Sequence, residues 1–271
     1  MRIRRLLRVQ GSRLAGRVAV VTGGARNIGR AIGERLASEG ARVALADVEP
    51  SVTETAAAIP EAAGYRTDVS SAADVDALFD GVLGRWGSVD ILVNNAAVVA
   101  PAVRHFLEAD EAWWDSVLDV NLKGQFLCAR RAAHAMARQG RGVIVNMSSG
   151  GGSRAHRGMT GYDASKGGSE ALTRALALDL APYGIRVVTV VPGLIQTEGQ
   201  SDEAVAKAAA TTPLERMGQP AEIAAAVAFA VSDEASYITG SSIVVDGGVL
   251  AQQRSPQVET FPVSGFPPRP A

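Results

Sequence analysis

A tyrosine and a lysine stand four residues apart in the segment "GYDASKGG" (161–168), as Tyr162 and Lys166. If this segment is helical, both side chains lie on one helix face. A free phenol has a pKa of about 10, and a neighbouring ammonium lowers it by favouring the phenolate. Such a pair can exchange a proton with a substrate oxygen near neutral pH. The same spacing also fits the first turn of an ordinary helix with an inward aromatic and a solvated lysine, so the rest of the chain must decide.

The elements around this pair alternate regularly along the chain. Short runs rich in valine and isoleucine are separated by longer alanine-rich stretches with helical periodicity. Continuous apolar strands separated by helix-length segments indicate a parallel sheet covered on both faces. We therefore predict a single-domain α/β fold with a doubly wound parallel sheet, the Rossmann type. Strands are predicted at 17–22, 42–47, 89–94, 142–147, 185–191 and 241–247, and helices at 28–39, 72–86, 112–138, 163–182 and 220–231.

The ends of the chain differ in composition from the rest. Residues 1–13 carry several arginines and no acid, which predicts a disordered leader, with a transit peptide or a wrongly included upstream start as alternatives. No linker interrupts residues 14–250, which we predict to form one domain. Residues 251–271 are proline-rich and predict a tail, or an arm laid across a neighbouring subunit.

Charge and cysteine content narrow the class of protein. The chain has 271 residues and a formal net charge of -1, and without the basic leader it is mildly acidic, so no nucleic-acid or membrane surface is expected. No secretory or membrane-spanning segment is evident, which predicts a cytoplasmic protein. The single cysteine, Cys128, excludes an intrachain disulfide and is expected in the core. The three histidines show no ligand spacing, so no metal site is predicted.

The first predicted strand, turn and helix, "VAVVTGGARNIGRAIGERLASEG", follow one another in the order that a dinucleotide site requires. Glycines in the turn allow the backbone to approach a pyrophosphate, and the helix N-terminus favours its charge. The spacing is T-G-x-x-x-N-x-G, from Thr22 to Gly29, and an ordinary tight turn would also fit it. The next strand ends at Asp47, where a carboxylate can accept hydrogen bonds from an adenosine ribose. Together these features favour a nicotinamide dinucleotide.

Nine motifs resemble those of the short-chain dehydrogenase/reductase family, in the same order and over roughly Leu14 to Gly248. They are "TGGARNIG", "ADV", "TDVS", "DILVNNAA", "VNLKG", "NMSSGG", "YDASK", "VVPGLIQT" and "YITGSSIVVDGG". The resemblance implies that Tyr162 and Lys166 are the catalytic pair of that family, with Lys166 lowering the pKa of Tyr162 and holding the nicotinamide ribose.

The resemblance also implies the other two catalytic positions. The family serine lies thirteen residues before the tyrosine, which selects Ser149 over its neighbour Ser148, expected to be a structural hydroxyl at a strand end. Asn121 matches the residue that helps to place a water beside the lysine. In the resulting mechanism, hydride moves between nicotinamide and carbon while the phenol balances charge on oxygen.

Several further residues match cofactor-binding positions of the family. Two of them have structural alternatives, since Asp68 could cap a helix and Asn95, like Asn94, could hold strand ends together. Two departures from the family pattern are Asn27 and Ala97, each in place of a usual glycine; asparagine tolerates a left-handed backbone and can donate to phosphate. The predicted cofactor-binding set is Gly23, Arg26, Asn27, Ile28, Gly29, Asp47, Val48, Asp68, Val69, Asn95, Ala96, Tyr162, Lys166, Pro192, Ile195 and Thr197.

Asp47 and Arg26 act in opposite senses on the choice of cofactor, because the carboxylate repels a 2'-phosphate and the guanidinium attracts it. We expect repulsion to dominate and NAD to be preferred over NADP. The predicted activity is the NAD-dependent interconversion of a small-molecule secondary alcohol and a ketone. The alternatives are an NADPH-dependent 3-oxoacyl-thioester reductase and a non-catalytic cofactor-binding scaffold.

Helices 112–138 and 163–182 carry surplus apolar residues, which, with the family resemblance, predicts a homotetramer.

Overall fold

The computed structural model describes residues 13–252, which form a seven-stranded sheet with helices on both faces. The predicted leader and proline-rich tail lie almost entirely outside the described residues. The strands are β1 (Val18–Thr22), β2 (Arg42–Asp47), β3 (Ala62–Arg66), β4 (Ile91–Asn94), β5 (Gly142–Met147), β6 (Ile185–Pro192) and β7 (Ser242–Val245). They lie in the order β3-β2-β1-β4-β5-β6-β7, and every neighbouring pair is parallel. The predicted doubly wound fold is confirmed.

The helices cover the sheet because the central strands are apolar on both faces. All five residues of β1 are buried, and Val21 lies between Leu45 of β2 and Val93 of β4 in the register of the sheet. One core layer includes Ile32 and Ile223, and the other includes Phe79 and Met136. The helices are α1 (Asn27–Ser38), α2 (Val52–Ala57), α3 (Ala72–Trp86), α4 (Glu111–Leu118), α5 (Gly124–Gln139), α6 (Thr160–Leu180), α7 (Asp202–Ala209) and α8 (Pro220–Val231).

Three elements were not predicted from the sequence: β3, α2 and α7. The strand β3 has the sequence AAGYR, without valine or isoleucine, and lies at the sheet edge with its residues partly exposed. Gly64 lies against the backbone of Thr53, so a β-carbon there would approach the Thr53 Cα to 2.6 Å. Pairing with β2 and packing on α2, rather than local propensity, therefore make this segment a strand.

The predicted helix 112–138 is interrupted by one π-helical turn, Asp119–Lys123, between α4 and α5. The amide of Gly124 donates to the carbonyl of Asp119, five residues earlier. Asp110 begins α4 by accepting a hydrogen bond from the amide of Trp113 at 2.7 Å. The extra residue of a π-turn rotates the side chains that follow it, and such turns occur frequently at functional sites. Here the turn carries the fully buried Asn121.

The strand order reverses between β1 and β4, which lie side by side although β2 and β3 separate them in the chain. In open parallel sheets, ligands bind beyond the carboxyl ends of the strands at such a reversal. The motifs quoted above follow the carboxyl ends of β1, β2, β4, β5 and β6, so the fold gathers them at one edge. Within residues 13–252, no helix has the length and apolar character needed to cross a bilayer.

Candidate active site

A cleft of about 420 Å³ lies at the strand-order reversal. It is lined by most of the predicted cofactor-binding residues: Gly23, Arg26, Asn27, Ile28, Gly29, Asp47, Val48, Asp68, Val69, Asn95, Ala96 and Thr197. Glu49, Thr67, Ala97, Val98, Val99 and Val120 complete its walls. Thr67 belongs to the motif "TDVS", so its position was available in the sequence, whereas Val99 and Val120 carry no chemical signal that sequence reasoning can use.

The glycine turn after β1 is packed too closely for side chains. Gly23 has a φ of +65°, and a β-carbon on it would lie 2.8 Å from the Asn95 Nδ2 atom. A β-carbon on Gly29 would overlap the carbonyl oxygen of Gly23. The N-terminus of α1 therefore opens onto the cleft with bare backbone, and its positive end suits the pyrophosphate of a dinucleotide. The residues present fit that group.

Asn27 adopts the left-handed backbone expected of an asparagine in place of glycine, with a φ of +49°. Its Oδ1 atom accepts a hydrogen bond from the amide of Glu198 at 3.0 Å. The side chain thus joins the glycine turn to the segment that follows Thr197. Donation from Asn27 to a phosphate stays a prediction. At the other departure, Ala97, the side chain is exposed at the cleft and the φ is not positive, so its methyl group meets no backbone strain.

Asp47 ends β2 with both carboxylate oxygens held by backbone amides. Oδ2 accepts from Ala25 and Oδ1 accepts from Glu49, each at 3.0 Å. Each oxygen keeps a second lone pair for another donor. The neighbouring Val48 is largely exposed, and the side chain of Arg26 extends into solvent. The carboxylate is therefore fixed at the cleft, while the guanidinium beside it is not held.

Asp68 does not cap α3, so that alternative is wrong. Ser71 caps the helix by accepting a hydrogen bond from the amide of Asp74. Asp68 instead accepts from the amide and the hydroxyl of Ser70, at 2.9 and 2.7 Å, and remains on the cleft wall.

The two asparagines at the carboxyl end of β4 hold strand ends together, as one of the alternatives predicted. Asn94 donates from Nδ2 to the Asn146 Oδ1 atom on β5 at 2.9 Å. Asn95 donates from Nδ2 to the carbonyl oxygens of Thr22 and Gly23, at 3.0 and 3.1 Å. The amides of Asn95 and Ala96 both donate to the Thr22 hydroxyl. Asn95 also lines the cleft, so the same residue holds the strand ends together and lies at the predicted binding site.

Tyr162 and Lys166 lie on one face of α6, and both are buried, with 8% and 2% of their surfaces exposed. The Lys166 ammonium donates to the carbonyl oxygen of Met147 at 2.9 Å, and its Nζ lies 5.5 Å from the Tyr162 ring centroid. Burial lowers the pKa of Lys166 to about 8, because removal from water disfavours the charged form. The lysine is therefore part of the interior and not a solvated surface residue.

The pKa of Tyr162 is raised, contrary to the lowering expected from Lys166. Burial is the main cause, the Asp163 carboxylate acts in the same sense, and the hydrogen bond with the Ser149 hydroxyl opposes them. The difference arises because the Lys166 ammonium is bonded to Met147 and not to the phenol. Desolvation of the phenolate then outweighs the attraction of the neighbouring cation.

The two serines after β5 have different surroundings. Ser149 precedes a 3₁₀ turn, Gly150–Gly152, and its Oγ atom accepts from the amide of Gly151 at 3.4 Å as well as interacting with the Tyr162 phenol. The hydroxyl of Ser148 donates to the carbonyl of Lys166 at 3.2 Å and to Glu170 at 3.0 Å. The structural interpretation of Ser148 is confirmed.

Asn121 is connected to the cleft through Val98. Its Oδ1 atom accepts from the amide of Val98 at 2.7 Å, and its Nδ2 atom donates to the carbonyl of Val98 and to the Ser165 hydroxyl, at 3.1 and 3.2 Å. Its side chain bonds neither Tyr162 nor Lys166. Val98 lines the cleft and also packs against the cluster of Tyr162 and Trp113, so it links the two parts of the site.

Pro192 ends β6 and Ile195 lies just beyond it, and neither lines this cleft. Tyr162 and Lys166 do not line its walls either. Ile195 lines a neighbouring cavity of about 470 Å³, together with Leu194 and Leu214 from the segment around α7. Within residues 13–252, no three histidine, cysteine or acidic side chains gather as metal ligands. Cys128 is fully buried, as expected, and burial raises the pKa of its thiol to about 12.

Comparison with known proteins places this chain among oxidoreductases. A family model described as enoyl-(acyl carrier protein) reductase matches residues 23–250. The cis-4-hydroxycyclohexanecarboxylate dehydrogenase of Sinomonas cyclohexanicum is 40% identical over 249 residues, which cover 89% of this chain and 99% of that protein. The 3-oxoacyl-(acyl-carrier-protein) reductase FabG of Staphylococcus aureus (strain Mu50) is 40% identical over 85% of this chain and 97% of its own. The crystal structure of gox2181 superposes with a TM-score of 0.84 at 34% identity, covering 88% of this chain and 97% of that one.

Proposed function

The chain belongs to the short-chain dehydrogenase/reductase family and is an oxidoreductase of alcohol and keto groups, and we propose that it interconverts a secondary alcohol and a ketone with NAD(H). The observation that carries the proposal is the meeting of Ser149, Tyr162 and Lys166 beside a cleft whose walls are the expected dinucleotide-binding residues. A scaffold has no need of this buried polar set, since burial of a lysine and a phenol costs stability.

Each catalytic side chain has a separate task in the proposed reaction. The Ser149 hydroxyl donates a hydrogen bond to the substrate oxygen and orients it. The Tyr162 hydroxyl gives its proton to that oxygen during reduction and takes it back during oxidation. The Lys166 ammonium stabilises the phenolate by its charge, which a buried site shields only weakly. Asn121 fastens the loop at Val98 and, through the π-helical turn, positions a water for proton exchange with Lys166.

The glycine turn, Asp47, Asp68 and the loop from Asn95 to Val98 would hold the dinucleotide. When bound, NAD(H) supplies or accepts the hydride at its nicotinamide ring. Asp47 supports the choice of NAD, because its carboxylate, held at the cleft by two backbone amides, would repel the 2'-phosphate of NADP. Two such charges a few Å apart cost on the order of one to several kcal/mol at a partly shielded site. The exposed Arg26 would contribute less than about 1 kcal/mol of attraction to that phosphate.

An NADPH-dependent 3-oxoacyl-thioester reductase is the second candidate. It is favoured by the 40% identity to a 3-oxoacyl-(acyl-carrier-protein) reductase over nearly the whole of both chains. The same four catalytic residues would serve it, because the reacting group is again a ketone. The two candidates differ in the cofactor and in the length of the substrate, which the loop "GGGSRAHRGMTG" and the segment Leu194–Met217 are expected to select.

We also propose a homotetramer. A groove of about 380 Å³ between α5 and α6 supports it, with Phe126, Leu176, Leu180 and Tyr183 among its lining residues. Phe126 and Tyr183 are about half exposed. Apolar surface of this kind commonly marks a contact between subunits.

A panel of substrates and cofactors tests the proposed function. Purified protein is assayed at 340 nm with secondary alcohols, cyclic hydroxy acids, sugars, steroids and 3-oxoacyl thioesters, each with NAD(H) and NADP(H). We expect turnover of an alcohol or ketone with NAD(H). Turnover confined to 3-oxoacyl thioesters with NADPH would establish the second candidate instead, and the absence of any turnover would contradict both.

A further inference from the structure

The carboxylate of Asp163, the residue next to Tyr162, has hydrogen bonds with one residue only, His156, within the described part of the chain. Its Oδ2 atom accepts from the backbone amide of His156 at 2.6 Å, and its Oδ1 atom contacts the Nδ1 atom of the His156 ring at 2.9 Å. The Asp163 side chain is only 13% exposed, whereas that of His156 is 48% exposed. The two residues lie seven positions apart, so the contact closes the loop between Ser149 and α6.

The turn that follows Ser149 packs against the same contact. A β-carbon on Gly151 would overlap the Asp163 Oδ1 atom and would lie 3.2 Å from the His156 Nδ1 atom. The amide of Asp163 donates to the carbonyl of Met159 at 2.8 Å in the first turn of α6. Three parts of the chain therefore meet at Asp163: the turn after Ser149, the middle of the loop and the helix that carries Tyr162.

We propose that His156 and Asp163 form a positioning pair that fixes the loop of residues 150–159, and with it the Ser149 hydroxyl, relative to the Tyr162 hydroxyl. Two hydrogen bonds from one residue to one carboxylate determine both the distance and the orientation of the loop. An acidic residue in the first turn of a helix is favourable by itself, because the helix dipole is positive there. The favourable interaction of Asp163 with the helix dipole does not require His156. Variants of His156 therefore test the positioning role of the pair separately from the dipole effect.

The pair also acts on the charge at Tyr162. The Asp163 carboxylate raises the pKa of Tyr162, and the His156 ring donates a hydrogen bond to that carboxylate. The other ionisable groups at this point are Lys166, 5.5 Å from the phenol ring, and Glu170, which bonds Ser148. Removal of the Asp163 charge should therefore lower the pKa of Tyr162, a change that loss of a merely structural contact would not produce.

Two readouts test the pair, and the first needs no substrate. Arg154 and Arg157 lie in the loop on either side of His156 and are sites for trypsin. In His156→Ala, which loses the ring contact but keeps the backbone bond, and in Asp163→Ala, which loses both, we expect limited trypsin digestion to cut this loop at least about fivefold faster than in the wild type. His156→Asn, whose amide can still donate to Asp163, should restore most of the resistance. The control His105→Ala, at another loop histidine, should leave the cleavage rate unchanged.

The second readout is turnover, and it rests on the proposed function. Both alanine variants should lose about tenfold to a hundredfold in kcat, as expected for a displaced catalytic group, with NADH binding within about twofold of the wild type. Asp163→Asn should move the pH midpoint of kcat/KM for alcohol oxidation to lower pH. A wild-type cleavage rate in both alanine variants, or wild-type kcat in both, would overturn the proposal. If the wild type turns over none of the substrates, the proposed function is wrong, but the digestion rates still test the positioning pair. If Asp163→Ala does not fold, the digestion rate of His156→Ala tests the pair alone.

Discussion

Burial acts on Tyr162 and Lys166 in opposite directions on the pKa scale. It raises the pKa of the phenol and lowers that of the ammonium to about 8, since each group is less stable charged in the interior than in water. A phenolate that forms during a reaction is then stabilised chiefly by attraction to the ammonium beside it. A buried pair of this kind provides a proton donor whose conjugate base is stabilised by a fixed neighbour.

Replacement of Tyr162 by phenylalanine removes only the oxygen that carries the proton. We expect Tyr162→Phe to lose about a hundredfold to ten-thousandfold in kcat, which is the usual contribution of a general acid or base. NADH binding, measured by fluorescence titration, should change by less than about twofold. Tyr237→Phe, at a fully exposed tyrosine, is the matched control and should keep wild-type turnover. More than about a tenth of wild-type kcat in Tyr162→Phe would show that the assigned role is wrong.

Replacement of Asp47 tests the choice of cofactor. We expect the wild type to prefer NAD over NADP by at least about tenfold in kcat/KM, since tenfold corresponds to about 1.4 kcal/mol and the repulsion at Asp47 exceeds that. Asp47→Ala should narrow the preference, and Arg26→Ala should change it less, because the Arg26 side chain is exposed. Equal or better efficiency of the wild type with NADPH would contradict this and favour the thioester reductase.

At the scale of elements, the end of α1 is held by a small buried ion network. Glu39 is 4% exposed and accepts hydrogen bonds from Arg13 at 2.8 Å and from Arg35 at 2.7 Å. Burial raises the pKa of Glu39, but the two arginines outweigh burial and hold it below its usual value. A lowered carboxyl pKa means that the folded state is stabilised above the unfolded pKa and loses this contribution as pH falls.

Glu39→Gln should therefore lower the free energy of unfolding by about 1.5 kcal/mol near neutral pH, as expected for hydrogen bonds to a charged group. The difference from the wild type should shrink as the pH falls below about 4.5 and through the folded pKa. Glu34→Gln, on the same helix with an exposed ion pair to Arg30, is the control and should cost no more than about 0.5 kcal/mol. Urea titrations at several pH values measure both, and a pH-independent difference would refute the role of the network.

At the scale of the whole molecule, the groove between α5 and α6 predicts the quaternary structure. Light scattering should give a mass near four times that of the 28.1 kDa chain. Phe126→Glu should produce smaller assemblies, because a carboxylate buried in an apolar contact is strongly unfavourable. Leu107→Glu, at a residue that is 87% exposed and outside the groove, should not change the mass. A monomeric wild type at micromolar concentration would contradict the prediction.

The sequence by itself determined the doubly wound sheet and most of the residues that line the cleft. Six of the seven strands are continuous apolar runs, and all of these except the edge strand β7 are mostly buried, as expected of parallel strands covered on both faces. The glycine turn could also be predicted from the sequence, because the close packing at Gly23 and Gly29 leaves no room for a side chain and so requires glycine. The edge strand β3 could not be predicted from the sequence, because its pairing with β2 and its packing on α2, more than its own residues, make it a strand.

Only the tertiary structure decided how the polar side chains are used. Asp68 and Ser71 are both good caps by type, and the backbone placed Ser71 at the start of α3. Asn27 bonds Glu198, 171 residues away, and His156 holds Asp163, contacts that no local pattern encodes. The pKa of Tyr162 was predicted in the wrong direction because a four-residue spacing gives proximity to Lys166 but not the extent of burial. Desolvation and long-range hydrogen bonding depend on the whole packed interior, and only the folded chain contains that information.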